Sequence, residues 1–192
     1  MAGVRQFDES RLLHTSLDLF WRNGFEATTM KDIAEASGVQ RGSLYNSYGD
    51  KDSIFILSFN VYSNNLIKST RECLTGSDIP GSLEKYFLLL INNMTIGSPA
   101  RGCLTTKTAA DGSIEKSQIR DELKSLLDSL NQLLENFFQE NNISKYTSAS
   151  PSDAARVVIT FTRGLAIMER VYGDKEMLIR TAKIFLNSFL KH

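Results

Sequence analysis

The sequence predicts an all-α fold of about nine helices, and three observations favour that class. Apolar residues recur at steps of three and four along most of the chain, the period of a helix with one buried face. Sustained alternation of apolar and polar residues bounded by hairpin turns, the mark of strands, is not found. The prolines Pro80, Pro99 and Pro151 fall between the apolar segments, where helix breaks belong. No repeat or long linker divides the 192 residues.

The first three predicted helices are short and close together in the chain. Ser10–Asn23 carries an apolar stripe along one face. Thr29 followed three residues later by Asp32 has the pattern of a capping box, which starts a helix that ends before Gly38. A third helix begins at position 40 or 41 and runs to about Ser47. Two short helices joined by a glycine turn are typical of a helix-turn-helix motif.

The remaining predicted helices are longer and more apolar. Asp50 is a good N-cap for a fourth helix that runs toward Cys73. Residues 115–138 place apolar side chains at alternating steps of four and three, which indicates a coiled-coil-like seam. The other helices are expected over Ser82–Met94, in a short helix with Pro99 in its first turn that contains Cys103, from Pro151 past Met168, and from Asp174 to about Phe189.

Composition excludes several classes of protein. The 22 cations balance the 22 anions, so net charge gives no sign of a polyanionic partner. Two cysteines and two histidines cannot build a disulfide framework or a zinc cluster, and we expect no metal and no cofactor. The longest apolar run, Tyr86–Ile91, is too short for a bilayer, and the N-terminus lacks the apolar region of a signal peptide. We therefore expect a cytoplasmic protein without a membrane partner. No nucleotide-binding or hydrolase motif occurs, which predicts that the chain is not an enzyme.

One stretch of about 32 residues carries a recognisable pattern. In order, it contains Gly24-Phe25, Thr28-Thr29, Asp32-Ile33-Ala34, Ala36, Gly38-Val39, Gly42-Ser43-Leu44-Tyr45, Tyr48, Lys51 and Phe55. In order and spacing this stretch resembles the DNA-binding region of the tetracycline-repressor (TetR) family of bacterial transcription regulators. The resemblance implies a three-helix DNA-binding domain over residues 1–50. It also implies an effector-binding and dimerisation domain, a helical bundle, over residues 51–192.

The resemblance and the residue types together predict a DNA-binding surface. Hydroxyls at a helix N-terminus suit a phosphate, and a lysine at the next helix start adds a cation. Such contacts position a protein on DNA without reading its sequence. In the family, the residue corresponding to Tyr45 commonly binds phosphate. The predicted DNA-binding residues are Thr28, Thr29, Gln40, Arg41, Gly42, Ser43, Tyr45, Asn46, Tyr48 and Lys51.

Two positions leave alternatives open. Arg41 opens the third helix with no acidic residue between Gln40 and Gly49, and an arginine there can bind guanine O6 and N7 or, equally, a phosphate. The family usually has Ser, Ala or Thr where this chain has Gln40, and often His where it has Ser47. Because glutamine is a poor N-cap, either this helix starts less firmly or Gln40 itself reads a base, with adenine as its natural partner.

The second half of the chain offers no ligand fingerprint. Apolar residues at helical spacing are more often plain core than pocket, so its candidates rest on weaker grounds. The predicted effector-binding residues are Tyr86, Leu90, Asn93, Met94, Cys103, Lys107, Phe137, Phe161 and Arg163. Two late helices carry apolar faces that we expect to pack on a second copy of the chain. The predicted dimer residues are Ala154, Val158, Phe161, Leu165, Met168, Leu178, Ala182, Phe185 and Phe189.

Cys103 has two interpretations. The run Arg101-Gly102-Cys103-Leu104 resembles an element in a subset of the family, some of whose members sense oxidants or electrophiles through such a cysteine. Cations at Arg101 and Lys107 are expected to lower the pKa of the thiol. The alternative is a buried cysteine that behaves as a small hydrophobe.

The sequence as a whole predicts a homodimeric regulator of transcription. We expect a repressor that leaves a palindromic duplex operator when a small molecule, electrophile or oxidant reaches the C-terminal domain. An activator with the same DNA-binding region is the alternative within the class. Outside the class, the alternative is a helical ligand-binding or protein-interaction module that binds no DNA. The sequence does not identify the operator, the effector or the regulated genes.

Overall fold

The computed structural model describes residues 7–191, and all regular structure in that range is helical. Residues 1–6 of the first predicted domain and residue 192 lie outside the described part. The nine α-helices found there are α1 (Glu9–Asn23), α2 (Met30–Ser37), α3 (Arg41–Tyr48), α4 (Lys51–Cys73), α5 (Ile79–Met94), α6 (Leu104–Ala110), α7 (Ser117–Glu140), α8 (Pro151–Tyr172) and α9 (Lys175–Phe189). Short 3-10 segments lie at Ser113–Glu115 and Ile143–Lys145. The predicted all-α class and the helix-turn-helix are confirmed.

Local signals in the sequence fix several helix ends. Thr29 and Asp32 form the predicted capping box, in which the Asp32 amide donates to the Thr29 hydroxyl and the Thr29 amide donates to the carboxylate at 2.8 Å. These hydrogen bonds from Thr29 lower the pKa of Asp32. Gly38 ends α2 in the left-handed conformation. Asp50 accepts from the Ser53 amide at 2.8 Å, as expected for the N-cap of α4.

Two predicted helix starts are wrong. α5 begins at Ile79 rather than at Ser82, because Asp78 accepts from the Gly81 amide and Pro80 fits the first turn, where its missing N–H has no helical partner to lose. Pro99 lies in the turn before α6 and not inside it. Cys103 therefore precedes the first residue of α6 instead of lying within a helix.

The chain divides into two compact units, and the first consists of residues up to Asn65 with Lys107–Leu123. Its core is a cluster of aromatic rings from α1, the α1–α2 turn and α4. Phe55 packs edge-on against Phe20 and Phe25, with ring centroids about 5 Å apart, and stacks on Phe59. All four rings are buried. Edge-to-face pairs of this kind stabilise a core beyond the area they bury.

Residues from beyond α4 complete the first unit by binding the backbone around α1. Lys107 donates through Nζ to the Trp21 and Arg22 carbonyls at the end of α1. Asp111 accepts from the Phe25 amide at 3.1 Å. These are the groups that a helix end and a turn leave without helical partners, so the two side chains satisfy backbone that would otherwise be unpaired.

The second unit consists of residues 66–106 and 124 onward. Within it, α5 packs against α8 and α9, and these two helices pack on each other. The Phe161 and Phe185 rings stack with centroids 3.9 Å apart, and Phe87 meets both edge-on. The proposed boundary between residues 50 and 51 stays a prediction.

Within residues 7–191, the helices are all too short or too polar to span a membrane.

Replacing Lys107 with Met should lower the free energy of unfolding by about 1–2 kcal/mol, because two carbonyls at the end of α1 lose a charged donor. Lys124 is exposed on α7 and serves as the matched control, whose change to Met should stay within about 0.5 kcal/mol. Urea denaturation followed by circular dichroism measures both. Equal stability of the two variants would contradict the capping role of Lys107.

Candidate functional site

The outer face of α3 is the most polar and exposed surface of the helix-turn-helix. One side of the helix is anchored, because Leu44 is fully buried. The opposite side projects from the protein, and its exposed residues are Gln40, Arg41, Gly42, Tyr45 and Asn46, with Ser43 half-buried. Gln40 makes no side-chain capping bond. Its role as a base reader stays a prediction.

Arg41 and Tyr45 lie one turn apart on this face. The Arg41 Nη2 donates to the Tyr45 hydroxyl at 3.3 Å, and the guanidinium lies 5.5 Å from the centre of the ring. Within residues 7–191 no carboxylate pairs with either side chain, and Tyr45 is 42% exposed. The pair presents a planar cation and a hydroxyl to whatever approaches α3.

Gly42 has no structural reason to be glycine within the chain. Its backbone does not require a positive φ, and a Cβ added there would meet nothing within 4 Å. Glycine inside a helix costs about 1 kcal/mol relative to alanine. Gly42 thus leaves an open stretch of backbone on the exposed face of α3.

The structure corrects the expected role of Thr28. Thr28 is completely buried, and its hydroxyl donates to the Gly24 carbonyl at 2.7 Å. It shapes the α1–α2 turn and does not face solvent. Thr29 is exposed, but its amide and hydroxyl already donate to Asp32, so a phosphate at this helix end would compete with a carboxylate.

Tyr48 and Lys51 are likewise occupied inside the first unit. Tyr48 is buried, and its hydroxyl donates to Glu9 at 3.2 Å, which removes its ring from the exposed face of α3. The Lys51 Nζ donates to the Phe25 carbonyl at 2.8 Å and lies 4.1 Å from the centre of the Phe25 ring. Partial burial lowers the pKa of Lys51, although nearby Glu26 opposes the shift. Lys51 therefore holds the turn between α1 and α2. Its contact with a phosphate stays a prediction.

The second unit contains a polar cluster made of Tyr86, Cys103, Thr105 and Arg163. Arg163 on α8 donates from Nη1 to the Thr105 hydroxyl and, at 3.7 Å, to the Cys103 sulfur. Its Nε and Nη2 donate to the Thr162 hydroxyl at 3.3 and 3.2 Å. The sequence named three of these residues among many candidates. The fold brings Cys103, just before α6, to Arg163 on α8, and Tyr86 on α5 interacts electrostatically with both.

The direction of the hydrogen bonds favours a thiolate at Cys103. The Cys103 sulfur and the Thr105 oxygen are 3.0 Å apart. Because arginine only donates, the Thr105 oxygen accepts from Arg163, which leaves the Thr105 hydrogen to point at the sulfur. The sulfur thus faces two donors, an arrangement that stabilises the negative form.

The pKa of Cys103 follows from the same contacts. Burial raises it, but the Arg163 charge, the Thr105 hydroxyl and the Thr106 backbone lower it, and the net shift is downward. The sequence assigned the cation to Arg101 and Lys107, which is corrected here. Arg163 is remote in sequence and supplies the charge, whereas Lys107 binds carbonyls of α1 in the first unit.

Tyr86 contributes a buried hydroxyl to this cluster. The residue is fully buried, its hydroxyl has no hydrogen-bond partner among the described residues, and burial raises its pKa to about 12. The charge of Arg163 acts on the hydroxyl in the opposite direction. The group is therefore a neutral donor near a cation.

The other predicted effector residues have ordinary surroundings. Leu90, Met94 and Phe137 are buried core residues. The Asn93 carbonyl accepts from Arg101, and the Phe161 ring is stacked on Phe185. Within residues 7–191 there is no group of three metal-binding side chains.

Most of the residues predicted to form the dimer interface are buried in the core of a single chain. Ala154, Val158, Leu165, Leu178 and Ala182 are all at most 4% exposed, which corrects their assignment to an interface. Phe161, Phe185 and Phe189 are half-buried and stack in series. Only Met168 is exposed. The apolar residues that α8 and α9 expose are Val157, Ile167, Met168, Val171, Tyr172 and Ile184.

Two short helices, α2 and α3, joined by a tight turn, with one face of α3 exposed, define a helix-turn-helix motif. Residues 12–56 match the family model described as bacterial regulatory proteins, tetR family. The HTH-type transcriptional repressor ComR of Escherichia coli is 26% identical over 121 residues, covering 62% of this chain and 58% of ComR. The HTH-type transcriptional regulator QacR of Staphylococcus aureus is 23% identical over 202 residues, covering 95% and 98% of the two chains.

Solved structures share the whole fold. The reduced form of Escherichia coli NemR has a TM-score of 0.84 at 17% identity, covering 95% of this chain and 96% of NemR. A cysteine mutant of CifR complexed with 26 bp of double-strand operator DNA has a TM-score of 0.85 at 20% identity, covering 98% and 100%. The match to the tetR family thus covers residues 12–56, and the likeness of fold extends over nearly the whole chain. Such relatives are transcriptional regulators, which are not enzymes.

The alignments to ComR and to YezE of Bacillus subtilis each span 58% of those relatives' length.

The two cysteines should differ in the pH at which they react. The Cys103 sulfur contacts Arg163 and Thr105, and its pKa is lowered. The pKa of Cys73 is raised by burial and by Glu72. Since the thiolate is the nucleophile, the rate with iodoacetamide should reach its plateau at a lower pH for Cys103 than for Cys73.

The variants C73S and C103S each leave one thiol, and mass spectrometry after timed quenching gives each rate. A Cys103 midpoint at or above that of Cys73 would contradict the thiolate assignment.

Proposed function

We propose that the chain is a DNA-binding transcriptional regulator, and specifically a repressor, that reads a palindromic duplex operator with the exposed face of α3. The observation that carries this proposal is that Arg41 is followed by Gly42, a glycine that neither backbone conformation nor packing requires. A planar cation for guanine stands beside a gap in the helix surface that permits close approach to DNA. Gln40 and Asn46 on the same exposed face have the amide chemistry that binds adenine. DNA-bound CifR supports the assignment by likeness of fold.

We infer that the regulator works as a homodimer joined through α8 and α9. A palindromic site needs two α3 helices about 34 Å apart, related by a two-fold axis. Together α8 and α9 expose six large apolar residues, Val157, Ile167, Met168, Val171, Tyr172 and Ile184, which is more than scattered surface residues explain. Gly164 on α8 is exposed, and a Cβ there would meet nothing within 4 Å. As with Gly42, the free space suits a close approach from outside, here by a second copy.

We further infer that Cys103 is the point at which an electrophile or oxidant releases the operator. Thr105, which contacts the sulfur, and Lys107, which binds the end of α1, are two residues apart near α6 residues 104–110. Cys103 is only four residues from Lys107 in the chain. Bulk or charge added at Cys103 can therefore shift Lys107 and the carbonyls at the end of α1 that it binds. By linkage, an effector that weakens DNA binding is itself bound less tightly by the DNA-bound form. We propose that this regulation acts on a repressor in the cytoplasm.

Arg41→Ala should weaken operator binding by about 1–3 kcal/mol and relax the preference at one base pair, because a guanine contact is lost. Operator selection from a randomised duplex pool, followed by a shift assay, measures both effects. Lys124→Ala, a change of an exposed lysine on α7, is the control and should change neither. Uniform weakening without relaxation would assign Arg41 to phosphate instead of a base.

Gly42→Ala is a second test, in which the stability of the fold should rise while the affinity for the operator falls. The change should raise the free energy of unfolding by about 1 kcal/mol through helix propensity. Operator affinity should nevertheless fall, because the added methyl group lies where DNA approaches. A variant that is more stable and binds equally well would show that α3 does not approach DNA closely at this position.

Val171→Asp combined with Ile184→Asp should yield monomers and abolish operator binding. The two side chains are 67% and 66% exposed, so their replacement leaves the core of one chain intact while placing charges in the proposed interface. Sedimentation velocity measures the assembly. Ile96→Asp, at an exposed apolar residue outside α8 and α9, is the control and should remain dimeric. A stable monomer of the unchanged chain at micromolar concentration would overturn the dimer.

A further inference from the structure

Arg163 is a half-buried cation that the chain does not neutralise with an acid. Among the described residues, no carboxylate forms an ion pair with it, and its contacts are the Thr105, Thr162 and Cys103 side chains. A charge withdrawn from water is costly unless it is paired. Hydroxyl groups compensate for part of the lost hydration. A thiolate at Cys103 provides negative charge only when the thiol has lost its proton.

The hydrogen bonds of Arg163 leave part of its donor set unused. A guanidinium has five N–H donors, one on Nε and two on each terminal nitrogen. Nη1 serves Thr105 and Cys103, and Nε with one hydrogen of Nη2 serves Thr162. One Nη2 hydrogen remains. Arginine is suited to oxyanions because its donors are held in a fixed plane.

The Tyr86 hydroxyl is a second donor with no acceptor. It is buried and unpartnered, and it interacts electrostatically with Arg163 and with both thiols, Cys103 and Cys73. An unsatisfied buried hydroxyl costs free energy that an incoming acceptor would recover. Two donors thus lack an acceptor: one hydrogen of Arg163, which contacts the Cys103 sulfur, and the Tyr86 hydroxyl, which interacts electrostatically with Arg163.

We propose that Arg163 and the Tyr86 hydroxyl form a binding site for the carboxylate of a small organic anion, and that the effector carries this carboxylate beside an electrophilic carbon. The proposal rests on the proposed function of Cys103 and adds the chemical class of the effector. One carboxylate oxygen accepts from Arg163 and the other from Tyr86. The carbon attached to the carboxylate is then held near the sulfur of Cys103.

Iodoacetate is a probe with this chemistry. Its carboxylate is joined to a CH₂ carbon that bears iodide. The Cys103 thiolate forms an S–C bond with that carbon while the C–I bond breaks, and iodide leaves with the electron pair. Iodoacetamide undergoes the same displacement with a neutral amide in place of the carboxylate. The ratio of the two rates at one thiol therefore reports recognition of the carboxylate, because the thiolate fraction cancels.

The ratio of iodoacetate to iodoacetamide rates should be about tenfold higher at Cys103 than at Cys73 or at free N-acetylcysteine, as expected for a charge-assisted hydrogen bond. Both rates are measured on the full-length protein by mass spectrometry of the two cysteine peptides. Propionate, which has the carboxylate without the leaving group, should slow iodoacetate at Cys103 and leave Cys73 unaffected.

Variants separate recognition from thiol activation. Arg163→Gln should slow both reagents at Cys103, since the thiolate loses its cation, and should also bring the ratio down to the free-thiol value. Tyr86→Phe keeps the ring in the core and should lower the ratio with little effect on iodoacetamide. Arg156→Gln changes an exposed arginine on the same helix, paired with Asp153, and should alter neither rate.

The outcomes distinguish the two proposals. If Cys103 reacts faster than Cys73 with iodoacetamide but shows the free-thiol ratio, the carboxylate site is overturned and the thiolate sensor stands. If Cys103 reacts no faster than Cys73 with either reagent, the sensor itself fails. A raised ratio that survives Arg163→Gln would also overturn the proposal, because the recognition would then come from another group.

Discussion

The first unit depends on the way in which the turn after α1 is held. Phe25 lies at its centre, with the ring packed against Phe20 and Phe55 in the core. Its amide donates to Asp111, and its carbonyl accepts from Lys51. Buried backbone groups need partners, and a turn cannot supply them from its own ladder of hydrogen bonds. Asp111 and Lys51, from two other parts of the chain, therefore satisfy the backbone of the turn between α1 and α2.

Local signals predicted the fold well because they act over a few residues. The Thr29–Asp32 capping box, the stop at Gly38 and the cap at Asp50 all occur where the sequence predicted them. Each depends on one side chain and backbone within one helical turn. The start of α5 was misplaced because Pro80 fits both a break and a first turn, and the Asp78 cap decides between them.

The candidate sites were less predictable because their key contacts join residues far apart in sequence. Spacing placed Thr28, Tyr48 and Lys51 on the DNA-binding surface, whereas packing turns Thr28 and Tyr48 inward and gives Lys51 a carbonyl. For Cys103, proximity in sequence favoured Arg101 and Lys107, yet the cation comes from Arg163, 60 residues away. No local pattern carries that information. A hydrophobic stripe also cannot tell an internal face from an interface, since both are apolar.

Two exposed glycines, Gly42 and Gly164, show what the structure adds to the hydrophobic pattern of the sequence. A glycine inside a helix is a cost to stability, and the usual internal reasons for it are a positive φ or a close neighbour. Gly42 and Gly164 have neither. One lies on the exposed face of α3 and the other on α8, which also exposes a row of apolar side chains. Neither glycine has an internal reason, which supports the proposed approach of DNA at Gly42 and of a second copy at Gly164.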